Sequence, residues 1–428
     1  MKALREKLDA RTARVAVMGI GYVGLPLAAE LARAGFRVTG LDRDAGKVRL
    51  LNAGESAIDD VTSGQLAPHV SAGRLDATTD ESVLDEADAV VVCVPTPLTK
   101  SRDPDMRFIV GAIDQIAAHQ HKGMLIVLES TTYPGTTSEV VAPRLGERFR
   151  MGEEVFVAFS PERVDPGNAE YSTRNTPKII GGMTPACLEM AMALYSGAID
   201  ALVPVSSTEV AEMAKLLENT FRAVNIGLVN EIALMSRRLG IDPHEVIHAA
   251  ETKPFGYMPF RPGPGLGGHC IPSDPLYLSW KLRTLKYEAR FIEVADAVNR
   301  SMPAYVVSRV AEVLAERGGA LHGARLLIYG VAYKANVSDV RESPAFEIID
   351  GLAARGAEVA YMDPRVPSLN EGALQMRSVD PSSSFAAYDA VVIVTDHDEL
   401  ERERLLTQAR LIIDTRDCLG GADKVFGL

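Results

Sequence analysis

Short, unbroken apolar runs alternate with helical periodicity through the first half of the chain. Residues 15–19 (VAVMG) read as a buried strand, followed by a glycine turn and an apolar-periodic helix over 22–34. Residues 36–42 (FRVTGLD) read as a second strand that ends in Asp42, and strand-like runs recur at 88–94 (DAVVVCV), 124–129 and 155–159. Such runs between helical stretches predict a parallel sheet built from βαβ units.

The middle of the chain has a different period. Val210, Met213, Leu217, Val224, Leu228 and Ile232 recur at helical spacing, which predicts one long helix over 208–238 with Gly227 as its soft spot. More helix is expected over 287–317, interrupted at Pro303. The α/β pattern then restarts. Residues 325–330 (RLLIYG) and 358–363 (EVAYMD) echo 14–19 (RVAVMG) and 37–42 (RVTGLD), and 389–395 (DAVVIVT) echoes 88–94. Any buried parallel strand is rich in Val and Ile, so a generic origin of the echo stands beside a true repeat. The expected fold class is α/β: two Rossmann-like, doubly wound domains joined by a central helical domain with a long helix. The expected divisions are 1–205 for cofactor binding, 206–315 for the helical, dimerising part, and 316–428 for the second Rossmann-like domain.

Composition narrows the function. A chain of 428 residues exceeds one ordinary core, and 47% hydrophobic with 24% charged residues is typical of a globular protein. The net charge of −12 argues against nonspecific nucleic-acid binding, so phosphates must be met locally by helix N-termini, backbone N–H groups and single basic side chains. Residues 1–14 are charged and lack the apolar core of a secretory signal, and no apolar run approaches the roughly 18 residues of a spanning helix. Cys93, Cys187, Cys270 and Cys418 lie far apart with no CxxC spacing, which argues against a disulfide framework and a zinc site. The expectation is a cytoplasmic protein with reduced thiols and no metal.

Gly19-Ile20-Gly21-Tyr22-Val23-Gly24 sits between a strand and a helix, and Asp42 closes the next strand. That is the context a dinucleotide fingerprint needs: a tight turn, close approach to a pyrophosphate at a helix N-terminus, and a carboxylate for the adenosine ribose. Asp42 would repel a 2′-phosphate and so favours NAD, although the adjacent Arg43 softens that repulsion. Gly330-Val331-Ala332-Tyr333-Lys334 in the second α/β section lacks the fingerprint, and Lys334 and Arg341 read better as phosphate contacts.

The richest chemistry lies in residues 262–275 (PGPGLGGHCIPSDP). Here one thiol, Cys270, is held on a Gly/Pro-shaped loop with Asp274 four residues on. A thiolate so displayed is an attacking group for an electrophilic carbon. Cys93, within an apolar strand, and Cys187, on a helix, read as ordinary buried thiols. His269 beside a cysteine has no second ligand cluster to make a metal site. Lys215, Asn219 and Arg222 form a polar line on the long helix, and spacing alone favours a solvated face. Glu162, in Ser160-Pro161-Glu162-Arg163, follows a strand where α/β sheets place ligands, or else it starts a helix. Asp274 is a base or a loop cap.

With these residues in view, the chain resembles the nucleotide-sugar 6-dehydrogenases, the UDP-glucose/GDP-mannose dehydrogenase family. The resemblance runs from GIGYVG at 19–24 through VPTP (94–97), STTYPGTT (130–137), SPER (160–163), KLLENTFRAVNI (215–226), GGHCIPSDP (267–275) and YKANVSDVRESP (333–344) to DTRD at 414–417. Residues 277–281 (YLSWK), 253–256 (KPFG), and His269 and Ser273 where UDP-glucose enzymes usually carry Ser and Lys, resemble the branch that oxidises UDP-N-acetylhexosamines. Asp417 stands where the family often has Asn.

The resemblance implies a four-electron oxidation of a sugar C6 alcohol to the acid using two NAD⁺, with UDP-N-acetylglucosamine as first choice and UDP-N-acetylmannosamine or UDP-glucose as alternatives. It assigns Cys270 as nucleophile, through a thiohemiacetal and a thioester, and Lys215 and Asn219 as oxyanion donors. Glu162 and Asp274 form the acid–base network. Tyr22, Val23, Arg43, Lys47, Thr96, Thr131 and Arg341 join the glycines and Asp42 around the cofactor. Glu162, Arg163, Lys215, Asn219, Arg222, Arg261, Gly267, Gly268 and Lys334 are the expected substrate contacts, and a homodimer or larger homo-oligomer is the expected assembly. A two-electron NAD dehydrogenase of the hydroxyacid type would share the N-terminal domain but would not need Cys270. A binding module with lapsed catalysis would not keep Cys270, Lys215, Asn219, Glu162 and Asp274 together.

Overall fold

Each buried, β-branched run of the first section forms a strand, and together they make one eight-stranded sheet. The computed structural model describes residues 1–428 apart from 59–60, 147, 166–167, 169 and 372–373. It divides into two compact units, Met1–Glu218 with Leu276–Tyr287 and Asn219–Pro275 with Glu288–Leu428. In the first unit the strands are β1 (Arg14–Met18), β2 (Arg37–Leu41), β3 (Leu75–Thr78), β4 (Ala89–Val92), β5 (Met124–Leu128), β6 (Val155–Phe159), β7 (Lys178–Gly182) and β8 (Leu202–Val205). Their order is β3-β2-β1-β4-β5-β6-β7-β8, parallel except for the antiparallel pair β6–β7. The first six strands follow the doubly wound order of dinucleotide-binding sheets.

The period of two sends alternate residues of each strand to separate cores. Val15, Val17, Val91, Val127 and Phe156 join one cluster with Leu27 and Leu31 of the helix Gly24–Arg33. Ala16, Met18, Val92, Ile126 and Phe159 join another with Ile113 and Ile116 of the helix Arg107–His119. A sheet covered on both faces is why these strands read as unbroken apolar runs.

The second unit carries a five-stranded parallel sheet of β9 (Arg325–Tyr329), β10 (Glu358–Met362), β13 (Ala390–Ile393), β14 (Ile412–Asp414) and β15 (Val425–Phe426), in the order β10-β9-β13-β14-β15. A separate hairpin, β11 (Ser368–Glu371) and β12 (Leu374–Arg377), is inserted between β10 and β13.

Two expectations about the helices need correction. The helix Arg290–Glu316 runs unbroken through Pro303. Proline removes one N–H bond and crowds the preceding turn, but Met302, Pro303, Val306 and Val307 are all buried, and this packing holds the helix together. The long helix forms in one piece as expected, over Thr208–Leu239, and only the reading of Gly227 as its soft spot changes. A Cβ there would lie 3.1 Å from the Cα and Cβ of Ala295, so this glycine lets two helices approach closely and is not a weak point.

Candidate active site

The glycine turn 19–24 lies where the sheet order reverses between β1 and β4. Gly19 adopts φ +90°, and a Cβ on it would meet the Cys93 carbonyl oxygen at 2.6 Å. A Cβ on Gly24 would lie 1.9 Å from the Gly19 oxygen, whereas one on Gly21 would meet nothing within 4 Å. Gly19 and Gly24 therefore close the turn, and Gly21 lines an open cradle in front of the helix N-terminus, as a pyrophosphate requires. Asp42 follows β2 and faces the turn: its Oδ2 accepts the Ile20 N–H at 3.0 Å and its Oδ1 the Asp44 N–H at 2.9 Å. Each oxygen keeps a lone pair for a further donor. Asp44 in turn caps the helix Ala45–Asn52, whose first turn holds Lys47.

Other expected cofactor residues lie along the same carboxyl edge of the sheet. Thr96 is buried beyond β4 and Thr131 half-buried beyond β5, while Tyr22 and Arg43 are exposed and Val23 is half-buried. Arg341 belongs to the second unit, where it forks onto Asp339. Cys93 lies just past β4 and not within it. Burial pushes its thiol up well above the usual range.

Cys270 is not in a loop. It is the exposed first residue of the helix Cys270–Thr284, and the N-terminus of a helix favours negative charge. The glycines before it fit their chain against the loop 333–342: a Cβ on Gly267 would lie 2.8 Å from the Tyr333 Cβ, and one on Gly268 (φ +82°) 2.7 Å from its ring. The Gly268 N–H also donates to the Arg341 carbonyl at 3.0 Å. Asp274 lies within the helix and so is no loop cap. Its Oδ2 accepts from Asn219 Nδ2 at 2.5 Å, with both side chains buried.

Lys215 and Asn219 are 8% and 5% exposed, which removes the solvated-face reading for both, while Arg222 is exposed. Glu162 starts no helix. Its Oε1 accepts the N–H groups of Arg163 and Val164, and its Oε2 is buried and bonded to no group among the described residues. Arg163 is held by Glu218 and by the Pro177 carbonyl, and Arg261 is paired with Glu251. Lys334 is half-buried. The first unit thus holds Glu162, Arg163 and Lys215, and the second holds Asn219, Arg222, Arg261, Cys270, Asp274 and Lys334.

Two buried acid clusters of the first unit escaped the sequence reading. Glu129, next after β5, binds Lys178 Nζ through Oε2 at 2.7 Å and accepts from the Tyr195 hydroxyl at 2.5 Å. All three side chains are buried. Burial opposes the Lys178 charge, but Glu129 and Glu162 outweigh it and raise the ammonium's pKa. Glu212 accepts the N–H groups of Gly135 and Thr137 and the Thr137 hydroxyl, and burial pushes its carboxyl up to about 7. The available signal was a charged residue abutting a buried strand (MLIVLE, KIIGG) or falling on the apolar side of a helix.

Among the described residues no group of three or more His, Cys, Asp or Glu is arranged to hold a metal ion, and no helix is long and apolar enough to cross a membrane. Models of the UDP-glucose/GDP-mannose dehydrogenase family match over residues 13–199 for the NAD binding domain, 209–301 for the central domain and 327–421 for the UDP binding domain. The chain is 37% identical to a UDP-N-acetyl-D-glucosamine 6-dehydrogenase of Pseudomonas aeruginosa over 394 residues, 91% of each chain. It is 35% identical to a UDP-N-acetyl-D-mannosamine dehydrogenase of Salmonella typhi, covering 94% of this chain and 98% of that one. The solved structure of a UDP-D-ManNAc dehydrogenase from Pyrococcus horikoshii superposes with a TM-score of 0.86 at 32% identity, covering 97% and 98% of the two chains. With a dinucleotide turn at the head of its first sheet and family matches over all three sections, the chain belongs to the UDP-glucose/GDP-mannose dehydrogenase family of NAD-dependent enzymes.

Proposed function

We propose that the protein oxidises the C6 alcohol of a UDP-N-acetylhexosamine, UDP-N-acetylglucosamine first, to the uronic acid in four electrons. The observation that carries this reading is Cys270 at the head of a helix whose next turn holds Asp274, bonded to Asn219. Bound NAD⁺ supplies the hydride acceptor, two per sugar. The chain's own residues do the rest. The Cys270 thiolate adds to the C6 aldehyde, forming a C–S bond, and the oxygen is protonated to a thiohemiacetal. Loss of a second hydride and of that proton leaves a thioester. Water then adds, the C–S bond breaks, and Cys270 departs as thiolate while the acid is released. The covalent hold keeps a reactive aldehyde in place between two oxidations.

Lys215 and Asn219 stabilise the negative charge that develops on the C6 oxygen, an effect worth about 3 kcal/mol per donor in comparable sites. Glu162 takes the proton of the hydrolytic water, and Asp274 completes the acid–base network. Gly19, Gly21, Tyr22, Val23, Gly24, Asp42, Arg43, Lys47, Thr96, Thr131 and Arg341 hold the dinucleotide. Arg163, Arg222, Arg261, Gly267, Gly268 and Lys334 hold the nucleotide sugar. The three-part division at 205 and 315 goes with this assignment, as does a cytoplasmic location.

A homodimer is part of the reading. Val210, Met213, Leu217, Phe221, Leu228 and Met235 form an exposed apolar stripe along the long helix, which a second copy would cover. UDP-N-acetylmannosamine is the second reading, favoured by the Salmonella typhi relative and the Pyrococcus horikoshii structure.

The test is incubation with NAD⁺ and each of UDP-GlcNAc, UDP-ManNAc, UDP-GalNAc and UDP-glucose, counting NADH per sugar consumed. Two NADH with UDP-GlcNAc supports the first reading, and two with UDP-ManNAc alone the second. Two with UDP-glucose alone overturns the branch, and one NADH with free aldehyde overturns the covalent role of Cys270.

A further inference from the structure

The order β10-β9-β13 puts the reversal of the second sheet between β9 and β13, whose carboxyl-end loops flank the crevice where open α/β sheets take ligands. In the first sheet the matching place is open: Asp42 accepts one N–H of its glycine turn through Oδ2 and keeps a lone pair for a ribose. In the second it is filled. Asp363, the residue after β10, accepts the N–H groups of Val331 and Ala332 through Oδ2 at 2.7 and 3.1 Å. The Nε2 of His397, from the loop after β13, lies 3.1 Å from the same oxygen, and the His397 ring is fully buried.

The ring has a second partner. Its Nδ1 accepts the Asn336 N–H at 3.0 Å, which puts the proton on Nε2 and makes Asp363 its acceptor. Asn336 has a left-handed φ of +66°, and its side-chain oxygen accepts the Asp398 N–H at 3.0 Å. Near the start of the same loop, the Thr395 hydroxyl donates to the Ala332 carbonyl at 2.6 Å. Gly330 (φ +80°) packs there too, since a Cβ on it would lie 2.3 Å from the Thr395 carbonyl oxygen. Residues 332–336 are thus tied at both ends to the segment 395–398, with Lys334 between the ties. We propose that His397 is a positioning residue for the substrate's nucleotide: its ring takes the place of a ribose beside Asp363 and, by bonding Asn336 as well, fixes the loop through which Lys334 meets the diphosphate of the UDP-sugar. In a chain of net charge −12 a diphosphate depends on such local cations. A loop ordered before its ligand arrives also loses less freedom on binding.

This inference rests on the reading of Lys334 as a contact of the nucleotide sugar. Two substitutions separate the two bonds of the ring. His397→Asn keeps an acceptor where Nδ1 stood, for the Asn336 N–H, but no longer reaches Asp363. His397→Gln keeps a donor where Nε2 stood, for Asp363, but leaves Asn336 without its acceptor. Each removes one buried hydrogen bond, so both should lower the thermal midpoint. Only His397→Gln releases the loop, and it alone should weaken UDP binding by about tenfold or more and raise the KM for the sugar nucleotide with kcat retained. A merely structural role would treat the two variants alike.

The experiment is calorimetric titration of the full-length wild type and both variants with UDP, and separately with NAD⁺, alongside their thermal midpoints. Weakened UDP binding in His397→Gln, with UDP binding in His397→Asn and NAD binding in both close to wild type, supports the proposal. Equal UDP affinities in the two variants, or a greater loss in His397→Asn, overturn it. Should neither His397 variant fold, Asn336→Gly carries the test, because it suits the left-handed φ and cuts the bond to Asp398. Unchanged UDP affinity there overturns the clamp, and a weakened one supports it. Lys334→Met is the separate control. If it leaves UDP binding unchanged, the reading of Lys334 is wrong and the role of His397 falls with it, whereas weak binding there beside intact binding in His397→Gln overturns the role of His397 alone.

Discussion

The amide nitrogen of Asn219 donates to the Asp274 carboxylate at 2.5 Å, between two side chains that are 5% and 3% exposed. The bond fixes which end of the Asn219 amide is the donor, so its second N–H is presented in one direction only. In the proposed mechanism that hydrogen faces the C6 oxygen. The two residues then act as one unit, and their losses should not add. In a double-mutant cycle on kcat/KM, Asn219→Ala and Asp274→Ala should each cost about 100-fold or more, with a coupling energy of about 2 kcal/mol. Strictly additive losses would show that Asp274 does not act through Asn219.

Gly21 and Gly24 lie three residues apart and should fail in different ways. A methyl group at Gly24 would collide with the Gly19 carbonyl at 1.9 Å, so Gly24→Ala should lower the thermal midpoint and weaken NAD binding together. At Gly21 a methyl group meets no protein atom within 4 Å and projects into the cradle. Gly21→Ala should keep the midpoint within about 2 °C and weaken NAD binding at least tenfold by calorimetric titration. Unchanged affinity for NAD in Gly21→Ala would refute the cradle.

Much of this molecule is legible in its sequence, for a physical reason. A strand buried on both faces must be apolar throughout, so VAVMG, DAVVVCV and their later echoes mark the sheets. The echo extends to single hydrogen bonds: Asp42 accepts the N–H of Ile20, the residue after Gly19, and Asp363 accepts that of Val331, the residue after Gly330. What was not legible depends on tertiary packing. Pro303 looks like a helix breaker until its neighbours are seen buried in the second unit's core. Gly227 looks weak until Ala295 is found against it. Cys270 looks like a loop residue because glycine and proline surround it, yet the helix begins there. The partners Glu129 and Lys178 are 49 residues apart, and no local spacing announces them.

Glu212 gives a prediction about pH. Burial raises its carboxyl from the usual value to about 7, against the pull of the three donors from Gly135 and Thr137. An acid whose folded pKa exceeds its unfolded one costs stability as pH rises from the unfolded value to the folded one. The cost is complete above about 7 and amounts to roughly 3 kcal/mol. Glu212→Gln cannot ionise, so the cost vanishes, although one N–H loses its acceptor. Denaturant midpoints of wild type and variant, measured from pH 4.5 to 8, should therefore diverge in favour of the variant up to pH 7 and then run parallel. Curves parallel throughout would mean that Glu212 stays ionised in the folded protein.

The paired aspartates Asp42 and Asp363 should separate cofactor binding from stability. Asp42 has two backbone donors and room for a third, which in the proposed complex is the adenosine ribose. Asp363 has no such room. Its Oδ2 accepts Val331 and Ala332 N–H and the His397 ring, and its Oδ1 accepts Arg365 and Val366 N–H. The His397 ring is fully buried, and its Nδ1 accepts the Asn336 N–H, which leaves the proton on Nε2 for Asp363. The carboxylate that serves a ligand in the first sheet is thus consumed by the protein in the second. Burial pushes the Asp363 carboxyl up, but its hydrogen bonds with His397 and the backbone outweigh this and hold it below the usual range. The stability it contributes is therefore present above the ordinary carboxylate pKa and lost as pH falls through its own lower one. Asp363→Asn should cost about 3 kcal/mol at pH 7 by leaving buried donors unpaired, flatten the acid limb of the stability curve, and leave NAD affinity within twofold. Asp42→Asn should do the reverse, weakening NAD at least tenfold for a loss of about 1 kcal/mol in stability. Tenfold weaker NAD binding in Asp363→Asn would mean that the second sheet also takes part in holding the dinucleotide.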